Sequence, residues 1–138
     1  MDTSKIICLL KEKDGLSKTL GFKFIDTPDD NVLVAKMEVN DTNKQIFGVL
    51  SGGATLALCE TLAGVGSMII LPNTRPVGIN VTGNHLHAMP LGGTVTAKGQ
   101  IIHKGKTIHL WQIEVTDEKG TLISTVQVTN YIIYPKHL

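Results

Sequence analysis

The sequence predicts an α+β fold in which a sheet of about six antiparallel strands wraps around one long, buried helix. Three observations lead to this prediction. An apolar segment of helical length lies mid-chain, several other segments alternate apolar and polar residues, and short turn-forming sequences separate them. The 138 residues suffice for one domain with a substantial core, so we assign residues 1–138 to a single domain.

The N-terminal part of the chain is predicted to form a short helix and a hairpin. Residues 4–13 are amphipathic, with Ser4 as the expected N-cap and Gly15 as the expected stop. Alternation over residues 21–26 and 32–39 predicts two strands. The turn-rich segment between these strands indicates that they pair as a hairpin.

The long helix and the remaining strands follow. The helix is expected to open at Ser51-Gly52-Gly53 and to end before Pro72. Because it has no polar face, we expect the sheet to surround it. Further strands are predicted over residues 77–88, 93–103, 107–116 and 121–134. The short turns between them imply that consecutive strands pair antiparallel.

Composition and charge disfavour several classes of function. The net charge is +1 without a run of like charges, so we expect no nucleic-acid partner. The N-terminus lacks the long apolar core of a signal peptide, which predicts a cytoplasmic protein. A membrane span is disfavoured, because a carboxylate at mid-helix costs roughly 2.5–3.5 kcal/mol on insertion scales. The histidines and cysteines have no metal-ligand spacing, and we predict no metal.

Glu60 is the one charged residue between Lys44 and Arg75. Proteins tend to avoid an unpaired carboxylate in an apolar environment or to use it. One interpretation is therefore a catalytic nucleophile or general base. The other is a buried glutamate bonded to a backbone amide or to an interface partner.

Three blocks of sequence resemble one known family. They are Gln45-Ile-Phe-Gly-Val-Leu-Ser-Gly-Gly with Glu60-Thr further along, Gly78-Ile-Asn-Val-Thr-Gly-Asn-His85, and Trp111-Gln-Ile-Glu-Val-Thr-Asp-Glu-Lys-Gly120. In this order and spacing they resemble the hotdog-fold acyl-CoA thioesterases of the 4-hydroxybenzoyl-CoA thioesterase type. The nearest branches are the enterobactin-proofreading and dihydroxynaphthoyl-CoA thioesterases. The resemblance covers about residues 20–133 and implies the hotdog fold.

The resemblance also implies roles for five residues of a catalytic site. Glu60 would be the nucleophile or general base, and the Gly52 N–H would stabilise the oxyanion at the helix N-terminus. Gln45 would donate to the thioester oxygen, His85 would orient the substrate, and Ser51 stands where relatives have histidine. Without the resemblance, Ser51 is an N-cap, Gln45 a loop residue and His85 a structural strand residue.

Further residues are predicted to bind substrate. The Lys104-Gly105-Lys106 turn could meet the phosphates of coenzyme A, although a solvated hairpin tip is the simpler interpretation. Relatives have serine at Gly64, and Ser67 lies one helical turn beyond that position. The substrate-binding residues that we predict are Gly53, Ser67, Asn84, Gly105 and Lys106.

The resulting hypothesis is a thioesterase that hydrolyses an aromatic or medium-chain acyl-CoA. Coenzyme A belongs to the substrate, and no other cofactor is expected. By resemblance the chain forms a homodimer and, further, a homotetramer, with Glu60 of one subunit facing Gly52 of the other. The departures at Ser51 and Gly64 favour one alternative, a non-catalytic acyl-CoA or aromatic-CoA binding protein. A second alternative is a different hotdog enzyme such as a hydratase or dehydratase, although those sites usually rely on an Asp/His pair and this helix supplies only Glu60.

Overall fold

The computed structural model describes residues 1–136, which form three helices and six strands. The elements in chain order are α1 (Ser4–Lys13), α2 (Gly15–Leu20), β1 (Lys23–Ile25), β2 (Val32–Glu38), α3 (Gly52–Ile70), β3 (Arg75–His85), β4 (Thr94–Lys104), β5 (Ile108–Thr116) and β6 (Leu122–Ile133).

The strands make one antiparallel sheet in the order β1-β2-β4-β5-β6-β3, and α3 packs against β2 to β6. The predicted α+β architecture of six antiparallel strands around one long helix is confirmed. The buried side of α3 meets the inward residues of the sheet, and the fully buried Trp111 lies at their centre. Its ring covers Gly66, where a Cβ would collide with it.

One predicted strand pairing is wrong. β3 pairs with β6 at the sheet edge and not with β4, the next strand in the chain. The connection over residues 86–93 is not a tight turn. It is held by hydrogen bonds from Leu86 N to Ile123 O and from Leu50 N to Met89 O, at 2.7 and 2.9 Å. Because of these long-range contacts, the connection lies beside the start of α3 before β4 begins.

The ends of the first helix also differ from the prediction. Thr3, and not Ser4, occupies the N-cap position, and its N–H and hydroxyl both donate to Asp26 Oδ1 at 2.9 and 2.6 Å. Gly15 does not end the chain's helical region but begins α2. Asp14 caps that second helix by accepting hydrogen bonds from the first-turn N–H groups.

The helix α3 is not fully surrounded. Gly53 and Glu60 are exposed, and Leu56, Gly64 and Met68 on the same side are only half-buried. By length and composition α3 could cross a membrane, as could the core helices of many soluble proteins, and 50% of its apolar 18-residue stretch is buried inside the domain. Beside the open side of α3 runs β3, whose outer edge pairs with no other strand among residues 1–136.

Candidate active site

A cavity of about 320 Å³ lies at the start of α3. The loop before the helix, the first turn of the helix, the end of β3 and the connection that follows it form its walls. It brings together three of the predicted catalytic residues, Gln45, Gly52 and His85. His87 also lines it.

The first turn of α3 presents free backbone donors to this cavity. Ser51 is the N-cap, with an extended backbone, but its side chain accepts no hydrogen bond from the helix. Its own N–H donates to Asn43 O at 2.8 Å. The N–H of Gly52 is one of the first-turn donors that an α-helix cannot pair internally. Such a turn is suited to bind an oxygen that carries negative charge.

The orientation of Gln45 is set by its own turn. Its backbone N–H donates to Val49 O at 2.8 Å, and its side-chain Oε1 accepts a hydrogen bond from the Phe47 N–H. This hydrogen bond holds the oxygen of the amide, and the donor end of the side chain, Nε2, is left for a ligand.

His85 packs directly on the helix N-terminus. Its Nδ1 lies 2.7 Å from Ser124 Oγ, and a Cβ built on Gly52 would lie 2.6 Å from its Nε2. Real Cβ atoms do not approach other heavy atoms this closely, so the imidazole occupies space that only a glycine at position 52 leaves open. Glycine is therefore favoured at position 52 for a steric reason, in addition to the role of its N–H as a hydrogen-bond donor.

Glu60 does not lie in the cavity of its own chain. It is exposed, which corrects the expectation that α3 buries it. Its carboxylate lies over Gly78 of β3, where a Cβ would collide with Oε1. Glu60 follows Gly52 by eight residues on the same helix, which places the two about 12 Å apart along its axis.

Ser67 and Asn84, which were predicted to bind substrate, do not line the cavity. Ser67 is fully buried, and its Oγ is bonded to His109 Nδ1, Trp111 Nε1 and Asn130 Nδ2 at 2.9, 3.0 and 3.2 Å. It is a core residue without access to substrate. Asn84 precedes His85 on β3, and successive strand side chains point to opposite faces. Asn84 is therefore on the outer face of the sheet.

The Gly105-Lys106 turn is the exposed tip between β4 and β5. Strand register places it far from the cavity of its own chain. Lys104 pairs with His109, which pairs with Asn130, whereas His85 pairs with Ser124. The six residue steps from Ser124 to Asn130 span about 20 Å of strand.

Ser124 and the wall contributed by residues 86–89 also belong to the site and were not predicted from the sequence. Ser124 could have been found, because it shares the inward face of β6 with buried valines two and four residues later. Among residues 1–136 no group of three or more His, Cys, Asp or Glu side chains could hold a metal ion. His103 is exposed, and His137 lies outside the described residues.

Comparison with known proteins identifies the family. The sequence profile described as the thioesterase superfamily matches residues 47–124, a range that contains Gly52, Glu60 and His85. The chain belongs to the thioesterase superfamily. It is a thioester hydrolase with the hotdog fold, as the sequence motifs predicted. The two alternatives, a non-catalytic binding protein and a hydratase, are therefore wrong.

Three members of the superfamily illustrate the similarity. A 1,4-dihydroxy-2-naphthoyl-CoA hydrolase of Listeria monocytogenes is 34% identical, covering 83% of this chain and 93% of its own. A thioesterase structure from Pseudomonas aeruginosa superposes with a TM-score of 0.88 at 30% identity, covering 96% and 94% of the two chains. A thioesterase structure from Staphylococcus aureus superposes with a TM-score of 0.80 at 37% identity, covering 86% of this chain and 98% of its own. Variants of this last protein carry Gln-to-Ala and Glu-to-Ala substitutions at positions fifteen residues apart.

Proposed function

We propose that the chain is a cytoplasmic acyl-CoA thioesterase that hydrolyses an aromatic or medium-chain acyl-CoA to free acid and coenzyme A. The observation that carries this proposal is the cavity at the start of α3, where Gln45, Gly52 and His85 meet. The similarity to a hydrolase of naphthoyl-CoA, an aromatic thioester, supports the aromatic substrate class.

The donors at the cavity are suited to a thioester carbonyl. Its oxygen gains negative charge when the carbonyl carbon is attacked, and fixed donors stabilise that charge without reorganising. The Gly52 N–H lies at the positive end of the α3 dipole, and Gln45 Nε2 supplies a second donor. The free N–H groups of the first turn fit this role because Ser51 does not cap them.

Glu60 acts as nucleophile or general base, and it comes from a second copy of the chain. Within one chain the carboxylate is about 12 Å from Gly52 along the helix, too far to share a reacting carbonyl. The open side of α3 and the unpaired edge of β3 are adjacent surfaces on which a second copy can pair. A homodimer therefore forms the site, and a homotetramer is the larger assembly we expect.

The Staphylococcus aureus variants support the pairing of these two roles. Their substituted glutamine and glutamate are fifteen residues apart, the same separation as that between Gln45 and Glu60. The spacing fits a loop glutamine followed by a glutamate two turns into the helix.

Coenzyme A is proposed to approach along the end of the sheet that carries Lys104 and Lys106. Lys104, His109, Asn130 and Gly78 form one row across four strands, and Glu60 lies over Gly78. The cations of this turn therefore lie on the Glu60 side of the assembled site, where they can meet the phosphates. Gly53 in the first turn of α3 remains a proposed contact to the substrate.

The activity is tested with a panel of aromatic, medium-chain and long-chain acyl-CoA esters. The wild type should cleave the aromatic or medium-chain members, and Glu60→Gln, which keeps the shape and removes the charge, should lose at least about 10²-fold in kcat. A wild type that cleaves no acyl-CoA, or a fully active Glu60→Gln, contradicts the proposal.

The shared site is tested by mixing two inactive variants, Glu60→Gln and Gln45→Ala. In a mixed dimer one site combines both defects, and the other combines the intact Glu60 of one chain with the intact Gln45 of its partner. Random mixing should therefore recover about a quarter of wild-type activity in a two-fold dimer. If each chain carried a complete site, mixing would recover nothing.

A further inference from the structure

Ser124 is fully buried and is in contact with His85. Its Oγ lies 2.7 Å from His85 Nδ1, and no other hydrogen bond of this hydroxyl is found among residues 1–136. The contact permits two arrangements. Either the hydroxyl donates to Nδ1, or the Nδ1–H donates to Oγ.

The proton of the hydroxyl distinguishes the two arrangements. If Nδ1–H were the donor, the hydroxyl proton of Ser124 would be left in a buried position without an acceptor, which proteins avoid. If Ser124 is the donor, the hydroxyl and Nδ1 are both satisfied. In the neutral ring the remaining proton then lies on Nε2.

We propose that Ser124 is a positioning residue of the thioesterase site, whose hydroxyl fixes the tautomer of His85 that carries its proton on Nε2. The catalytic consequence rests on the function proposed above. Nε2 is the ring atom closest to the position that a Gly52 Cβ would take. The Nε2–H is therefore held beside the first turn of α3, at the same cavity as Gln45.

This arrangement gives the site an imidazole donor although position 51 is a serine. A donor held on Nε2 attracts the oxygen of a polarised thioester, whereas the other tautomer would present a lone pair and repel it. Ser124 lines the same cavity, but in this scheme it makes no contact with the reacting atoms. It acts through the ring of His85, which it also holds in orientation from β6.

The proposal is tested directly by a long-range ¹H–¹⁵N correlation spectrum of the histidine rings, which distinguishes the tautomers. His85→Gln identifies the signals of His85. We expect the Nε2–H form in the wild type and a mixture of tautomers in Ser124→Ala. The kcat for an aromatic acyl-CoA should fall on the order of tenfold in Ser124→Ala, with a smaller change in KM. Ser124→Thr, which restores the hydroxyl, should recover both the tautomer and kcat.

Ser67→Ala is the matched control. It also removes a fully buried hydroxyl bonded to a histidine, but that histidine, His109, lies in the core. We expect it to lower stability and to leave the His85 signals and the kcat of the folded enzyme unchanged.

Two results would overturn the proposal. One is a wild-type spectrum showing the Nδ1–H form of His85, and the other is a Ser124→Ala protein with wild-type tautomer and kcat. If Ser124→Ala does not fold, the wild-type spectrum still decides the tautomer. The spectrum is recorded without substrate, so a failure to hydrolyse any acyl-CoA would refute the proposed function and not the tautomer assignment.

Discussion

Gly78 offers a test of Glu60 that leaves the carboxylate itself unchanged. A Cβ built on Gly78 would collide with Glu60 Oε1 and would lie 3.1 and 3.2 Å from Cδ and Cγ. Ordinary Cβ contacts begin at 3.4 Å. The clash is with the far end of a flexible side chain, so Gly78→Ala should displace the carboxylate and leave the strand in place.

The expected loss follows from the size of that displacement. The carboxylate must move by about 1 Å, and a misplacement of this size can cost about 10²-fold in rate. We expect kcat/KM for an acyl-CoA ester to fall by roughly 10²-fold, equivalent to about 2.7 kcal/mol of transition-state stabilisation. The melting temperature and the mass in solution should stay close to those of the wild type, because alanine is at least as favourable as glycine within a strand.

The double variant decides whether the effect acts through Glu60. Gly78→Ala should cost little further activity in the Glu60→Gln background, because the group that it displaces no longer functions there. Additive losses would show that Gly78→Ala acts elsewhere. A Gly78→Ala enzyme with wild-type kcat/KM would refute the catalytic assignment of Glu60 in this position.

Three further predictions concern the core. Burial lowers the pKa of His109, so the unfolded chain binds the proton more readily than the folded one. Stability should be complete above about pH 6.5 and should decline as the pH falls below it. Urea unfolding over this pH range should show the decline in the free energy of unfolding for the wild type and not for His109→Gln. The same pH dependence in both proteins would contradict the prediction. Gly66→Ala should cost about 1–3 kcal/mol in the same assay, because the new methyl group would collide with the buried Trp111 ring, and unchanged stability would refute it. Burial raises the pKa of Cys59 to about 12, so a thiol reagent should modify one thiol of the native protein, the exposed Cys8, and two after unfolding. Modification of both thiols in the native protein would contradict this.

The helices and strands were largely predictable because their periodicities are local. The predicted helix over residues 4–13 and the long helix before Pro72 agree with α1 and α3, and the alternating segments became strands. The pairing of β3 was not predictable in this way. The connection over residues 86–93 contains turn-forming residues, and only its hydrogen bonds to distant backbone groups carry it away from β3.

In the candidate site, too, the local sequence motifs were predictable and the contacts that depend on the fold were not. The sequence motifs pointed to Gln45, Gly52 and His85, which the fold brings to one cavity. Ser67 was misplaced for an identifiable reason. It lies seven residues after Glu60 and within about 20° of it around the helix, so periodicity alone puts both on one side. The difference is that the hydroxyl of Ser67 is buried against His109, Trp111 and Asn130 of the sheet, whereas Glu60 is exposed.

The exposed Glu60 lies on a helix whose other residues are all uncharged. A helix without a polar face is stable in water only when it is covered on all sides. One chain covers the side that faces the sheet and leaves open a side formed by Gly53, Leu56, Glu60, Gly64 and Met68. The dimer proposed above would supply the missing cover. A second copy that pairs along β3 would enclose this side and place each Glu60 against the Gly52 turn of its partner. In such a dimer the carboxylate would lie in the apolar environment that the sequence predicts, whereas in the single chain it is exposed. For this reason, dissociating the dimer should abolish activity even if each chain stays folded.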